Sequence, residues 1–129
     1  MTNKPKTILV VDDFLEMREL FKDILGFNGY LVSIAENGKK AIELYKENPF
    51  DLVVLDLFLP DINGIEVMQN LVTEFPKIKI IAISGGGEEY QLEFDRFLKK
   101  ANHNGAKKSL KKPCDPEVFL KAVLDVLAE

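Results

Sequence analysis

Three short runs, TILVV at residues 7–11, LVVL at 52–55 and IKIIAI at 78–83, are almost continuously apolar and rich in β-branched side chains. A strand with one face in water alternates apolar and polar residues. A run with no polar break needs cover on both faces, which is the condition of a strand inside a parallel sheet. Residues 30–35 (YLVSIA) and 106–110 (AKKSL) are more mixed and suit strands nearer the edges. Between these runs the apolar spacing changes to that of helices: Met17, Leu20, Phe21, Ile24 and Leu25; Ala41, Leu44 and Tyr45; Ile65, Met68, Val72 and Phe75. A fourth stripe comprises Tyr90, Phe94, Phe97, Leu98 and Ala101, and a fifth Phe119, Leu120, Val123 and Leu127. Asn28-Gly29, Asn48-Pro49 and Pro76 stop helices, while Asp115-Pro116 opens the last with a cap residue and a first-turn proline.

The pattern is βα repeated five times, so an α/β fold is expected: a doubly wound, five-stranded parallel sheet with right-handed crossovers and helices on both faces. The 129 residues suit a single domain spanning 1–129. Seventeen Lys and Arg against 21 Asp and Glu give a net charge of -4, which disfavours direct binding to nucleic acid. No apolar run approaches the roughly 20 residues of a membrane-spanning helix, and MTNKPK is not followed by the apolar core of a secretory signal, so a cytoplasmic location is expected. The only cysteine, Cys114, reads as a small, semi-buried residue.

In sheets of this kind, ligands bind outside the carboxyl ends of the strands. Asp12 and Asp13 follow the first strand, Asp56 the third and Ser84 the fourth, and Lys112 lies just beyond the fifth, so all five fall on that edge. Carboxylates crowded to about 4 Å repel by about 4 kcal/mol per pair at an effective dielectric near 20. A hard divalent cation such as Mg²⁺, which takes carboxylate oxygens together with phosphate, relieves that repulsion. Asp56 stands alone at the end of the central strand and, being ionised at neutral pH, can accept a phosphoryl group without a base. Ser84 can donate to a phosphoryl oxygen, and the Lys112 ammonium can neutralise another. SGGGEE at 84–89 lacks the lysine and hydroxyl residue of a nucleotide-binding loop, and His103 in ANHNGA reads as a surface residue near a helix end.

VVDD, AENGKKAIEL, DLVVLDLFLPDING, AISG and GAKKSLKKP, in this order, resemble the receiver domains of two-component response regulators over nearly the whole chain. The resemblance implies the flavodoxin-like strand order 2-1-3-4-5. It also implies Mg²⁺ bound by Asp13, Asp56 and the Phe58 backbone carbonyl, with Asp12 acting through water. Asp56 would be the phosphoacceptor, supplied by a histidine kinase or phosphotransfer protein, with Ser84 and Lys112 on the phosphoryl oxygens and a cis Lys112–Pro113 bond. Output would be a conformational shift toward a downstream protein, through the face around the fourth and fifth helical stripes. On this view the protein is not an enzyme beyond its own phosphorylation and dephosphorylation. Two features depart from the family pattern. Ser109 stands where receivers usually carry an aromatic switch residue, and the segment from Ser84 to Gly105 is longer than usual by more than one helical turn. Phe58 and Gly86 occupy positions that tune dephosphorylation, and neither offers a side chain to hold water, which implies a long-lived phosphorylated state. Two other functions compete: a degenerate receiver that only docks, and a hydrolase or mutase with an aspartyl nucleophile.

Overall fold

A computed structural model describes residues 4–85, 105–112 and 114–129. Along the chain these form β1 (Thr7–Val11), α1 (Leu15–Phe27), β2 (Leu31–Ala35), α2 (Gly38–Glu47), β3 (Leu52–Asp56), α3 (Gly64–Glu74), β4 (Ile80–Gly85), β5 (Lys108–Lys112) and α4 (Pro116–Ala128). All strand pairs are parallel and the sheet order is β2-β1-β3-β4-β5, the order the resemblance implied. The fourth apolar stripe, Gly86, His103 and Pro113 lie outside the described residues.

The unbroken apolar runs have a direct structural cause. Successive strand residues point to opposite faces. Leu9, Val11, Val53, Leu55, Ile80 and Ala82 pack into one core with Ala41 and Tyr45 of α2 and Val67, Met68 and Leu71 of α3. Their neighbours Ile8, Val10, Leu52, Val54, Ile81 and Ile83 pack into a second core with Phe21 and Leu25 of α1 and Phe119, Ala122, Val123 and Val126 of α4. Phe21 and Phe119 join α1 to α4 across that second layer, with ring centroids 4.7 Å apart. Each fully buried side chain contributes about 1.5–3 kcal/mol, so both faces drive folding.

The helix boundaries follow the capping signals. Asn37 accepts from the Lys40 amide at 2.8 Å, Asn63 from Ile65 at 2.8 Å, and Asp115 from Glu117 at 2.8 Å beside first-turn Pro116. Gly29, with φ of 87°, carries the chain out of α1 in a conformation that side chains resist. The Lys79 ammonium donates to the carbonyls of Leu127 and Glu129, capping the end of α4 from the start of β4.

Three sequence expectations shift. Leu20 is exposed, because the buried line of α1 narrows to Phe21 and Leu25. The fourth strand starts at Ile80, not Ile78, since the Ile78 amide closes a turn onto the Phe75 carbonyl at 3.0 Å. The fifth strand moves by the same two residues, its register running from Ile81↔Lys108 to Gly85↔Lys112, so Lys112 ends the strand instead of lying beyond it. Among the described residues, no helix is long and apolar enough to cross a membrane.

Candidate functional site

The parallel register brings the carboxyl ends of β1, β3, β4 and β5 to one edge, with Val11 beside Leu55, Asp56 beside Ile83, and Gly85 beside Lys112. The chain leaves β1 through Asp12, whose amide still donates to the Ala35 carbonyl at 3.1 Å. Asp12 and Asp56 are buried and Asp13 is exposed. Carboxylate oxygens of the three lie within 4.8 Å of one another.

Both buried carboxylates are oriented by the same local device, an Asx-type turn onto the amide two residues on. Asp12 Oδ1 accepts from the Phe14 amide at 2.9 Å, and Asp56 Oδ1 from the Phe58 amide at 2.8 Å. Their other oxygens share one cation. Lys112 Nζ donates to Asp12 Oδ2 at 2.6 Å and to Asp56 Oδ2 at 3.1 Å. Ser84, one residue beyond the register partner of Asp56, is fully buried, and its hydroxyl bonds to nothing among the described residues. A buried hydroxyl left this way costs about 1–3 kcal/mol.

The electrostatics are unbalanced: three carboxylates face the one ammonium that bonds two of them. Burial pushes the Asp56 carboxyl up to about 6, with the negative charge of Asp12 adding to the effect; the Phe58 amide and Lys112 oppose it. Burial works to lower the Lys112 pKa, but its bonds and charge attraction to Asp12 and Asp56 outweigh that and raise it. Such a cleft favours any arrangement that adds positive charge.

These donors fit Mg²⁺. The converging groups are hard oxygens, three of them from carboxylates, and the buried, unpaired Ser84 hydroxyl adds a hydrogen-bond donor at the adjoining strand end. Sequence reasoning therefore selected Asp12, Asp13, Asp56 and Lys112, which the fold gathers, and Ser84, which it buries at the adjoining strand end. Phe58 lies in the loop after β3 with its ring half-exposed. Sequence reasoning missed Arg18, whose Nη1 donates to the Asp12 carbonyl at 2.8 Å and holds the turn out of β1. Its signal was a cation one turn into the helix that follows the paired aspartates.

Residues 8–124 match the response regulator receiver domain family, and the chain belongs to it. It is thus a CheY-type receiver, a class of two-component signalling. Among its relatives, the chemotaxis protein CheY of Thermotoga maritima is 35% identical over 119 residues, covering 92% of this chain and 94% of that one. The chemotaxis protein CheY of Bacillus subtilis is 36% identical over 117 residues, covering 90% and 92%. A putative response regulator from Chloroflexus aurantiacus superposes with a TM-score of 0.88 at 26% identity, over 98% of this chain and 100% of that one. A receiver domain protein from Methanospirillum hungatei gives 0.84 at 28%, over 97% and 95%.

Proposed function

We propose that the protein is a phosphoacceptor in which Asp56 takes a phosphoryl group from a histidine kinase or phosphotransfer protein, with Mg²⁺ in the cleft. The observation that carries this is the Asp56 carboxylate, buried at the end of the central strand, within reach of two further carboxylates and hydrogen-bonded to Lys112. Held by Asp13, Asp56 and the Phe58 carbonyl, with Asp12 through water, Mg²⁺ would neutralise charge on the incoming phosphate.

The residues of the chain divide the remaining work. Even before any cation binds, with burial pushing its carboxyl up to about 6, Asp56 is mostly ionised above neutral pH, so it can act as a nucleophile without a base. One of its oxygens forms the new P–O bond as the donor's P–N bond breaks. The electron pair leaves on the imidazole nitrogen, which takes a proton from water. Lys112, already on Asp56, moves its ammonium onto a phosphoryl oxygen, and Ser84 donates its unused hydroxyl to another. Arg18 keeps the Asp12 backbone in place while the charges rearrange.

The new contacts to Ser84 and Lys112 bias a conformational equilibrium read by a downstream protein in the cytoplasm. The face around the fourth and fifth helical stripes is the proposed docking surface, and α4 exposes Val118 and Leu124 there. Ser109 sits half-buried in β5 at the position where receivers usually carry an aromatic switch, so the shift has no aromatic ring to use there. The half-exposed Phe58 ring offers no polar group to hold an attacking water, so the phosphorylated form is long-lived; a half-life of seconds in Mg²⁺ buffer would overturn that.

The deciding experiment treats the protein with acetyl phosphate or phosphoramidate and Mg²⁺ and measures intact mass. One phosphoryl adduct is expected, absent in Asp56→Asn. No adduct would leave only a docking role, and repeated turnover of phosphate esters would make the protein a hydrolase.

A further inference from the structure

The loop between β3 and α3, residues 57–63, carries Phe58, whose carbonyl the proposed function gives to Mg²⁺. Most of its anchors are local. The Leu57 amide donates to the Ile83 carbonyl at 2.9 Å, Phe58 to Asp56 Oδ1 at 2.8 Å, and Gly64 to the Leu57 carbonyl at 3.0 Å. The apex at Asp61 is tied to a different element. Asp61 Oδ1 accepts from the Gly38 amide at 2.9 Å and Oδ2 from the Lys39 amide at 3.0 Å.

Those amides belong to the first turn of α2, where no carbonyl of the helix itself can satisfy them. Asn37 takes the next one, from Lys40. A carboxylate there also gains from the helix dipole. Burial pushes the Asp61 carboxyl up, yet the amides of Lys39, Gly38, Ile62 and Asp61 itself outweigh it and hold it below the usual carboxylate range. The packing beside the contact has no slack: a Cβ on Gly38 would lie 2.7 Å from Val67 Cγ2 of α3 and 3.2 Å from Ile62 Cβ of the loop, with Asp61 Oδ1 at an ordinary 3.5 Å.

We propose that Asp61 is a positioning residue for the cation site: by clamping the loop apex to the first turn of α2, it fixes the loop that carries the Phe58 carbonyl directly after Asp56. Gly38 and Lys39 form the other half of the clamp, which gives the first turn of α2 a role beyond the cap that Asn37 supplies. This rests on the cleft being a Mg²⁺ site and deepens that reading.

Mg²⁺ affinity, measured by calorimetric titration alongside melting temperature in EDTA, tests it. Asp61→Ala is expected to weaken Mg²⁺ binding roughly tenfold, the usual scale for groups that orient metal ligands. Asp61→Asn keeps an acceptor for one amide and falls between. Gly38→Ala changes no charge but pushes the two halves apart, so it weakens binding in the same direction, and the double variant is no weaker than the worse single one. Folded variants that bind Mg²⁺ within twofold of wild type would reduce Asp61 to a helix cap. Equal losses in Asp61→Ala and Asp61→Asn with none in Gly38→Ala would assign the effect to charge and also overturn the clamp. Should Gly38→Ala fail to fold, amide exchange in the wild type decides: coupling is reciprocal, so Mg²⁺ must slow exchange at Gly38 and Lys39, and unchanged exchange sinks the proposal. A wild type that binds no Mg²⁺ sinks the proposed function itself, which is a separate outcome.

Discussion

The two ends of β1 and β3 use the same residue type to opposite effect. Where these strands begin, Asp51 Oδ2 accepts from the Thr7 amide at 2.8 Å and the Thr7 hydroxyl at 3.2 Å, while the Asp51 amide donates back to the Thr7 hydroxyl at 3.1 Å and carbonyl at 2.9 Å. That aspartate is exposed and bonded by Thr7 on the neighbouring strand. Where the strands finish, Asp12 and Asp56 are buried, share one lysine, and sit beside Asp13 and an unpaired serine hydroxyl. One end closes its hydrogen bonds and stabilises the sheet; the other keeps one hydroxyl unpaired and an excess of negative charge at a buried edge. Local conflict of this kind marks functional sites, because the rest of the fold must carry its cost.

The sharpest way to break the contrast is Lys112→Ala. Removing the cation that, among the described residues, pairs with both the Asp12 and Asp56 carboxylates is expected to cost about 3 kcal/mol in urea unfolding with EDTA, the scale of a broken buried pair. Millimolar Mg²⁺ should recover part of that, because a ligand bound only by the native state stabilises it. A loss below about 1 kcal/mol would show that water screens the cleft.

Next in size is Asp56→Asn. The folded protein holds the Asp56 proton to about pH 6, whereas an unfolded chain releases it near 3.9. Folding therefore takes up a proton in that window, and in EDTA the contribution of Asp56 to stability falls as pH rises from about 4 to about 6. Asp56→Asn removes the slope and gains just under about 3 kcal/mol at pH 7, from the gap between the folded value of about 6 and the unfolded one. Equal stability of the two proteins at pH 4 and pH 7 would refute the burial penalty. The smallest effect belongs to the quiet end: Asp51→Ala should cost about 1 kcal/mol, the worth of ordinary hydrogen bonds, equally in EDTA and in Mg²⁺. Dependence of that loss on Mg²⁺ would mean the two ends are coupled and the contrast is false.

The central strands were legible in the sequence because both faces of the sheet are covered, leaving no polar break in TILVV or LVVL. The fifth strand was placed two residues early because KSLKK is an edge strand whose one apolar side chain, Leu110, cannot set the register; the pairing of β4 through Gly85 does. Asp12, Asp13, Asp56, Ser84 and Lys112 could be selected because each lies at or next to a strand end, a position that sequence encodes. The division of labour among them could not. That Asp12 is buried and closest to Lys112, that Asp13 is exposed, and that Asp61 reaches α2 are results of contacts across the fold. Arg18 escaped notice because its partner is a backbone carbonyl, which carries no residue-type signal.

Asp12 and its lysine stand 100 residues apart in the chain. A nascent polypeptide emerging from the ribosome would display its acids well before β5 arrived to neutralise them, and among the described residues no earlier strand carries a substitute at that edge. On the proposed function, a chain without β5 would hold Asp12 and Asp56 without the lysine that bonds both, so the cleft is complete only once the last strand has docked.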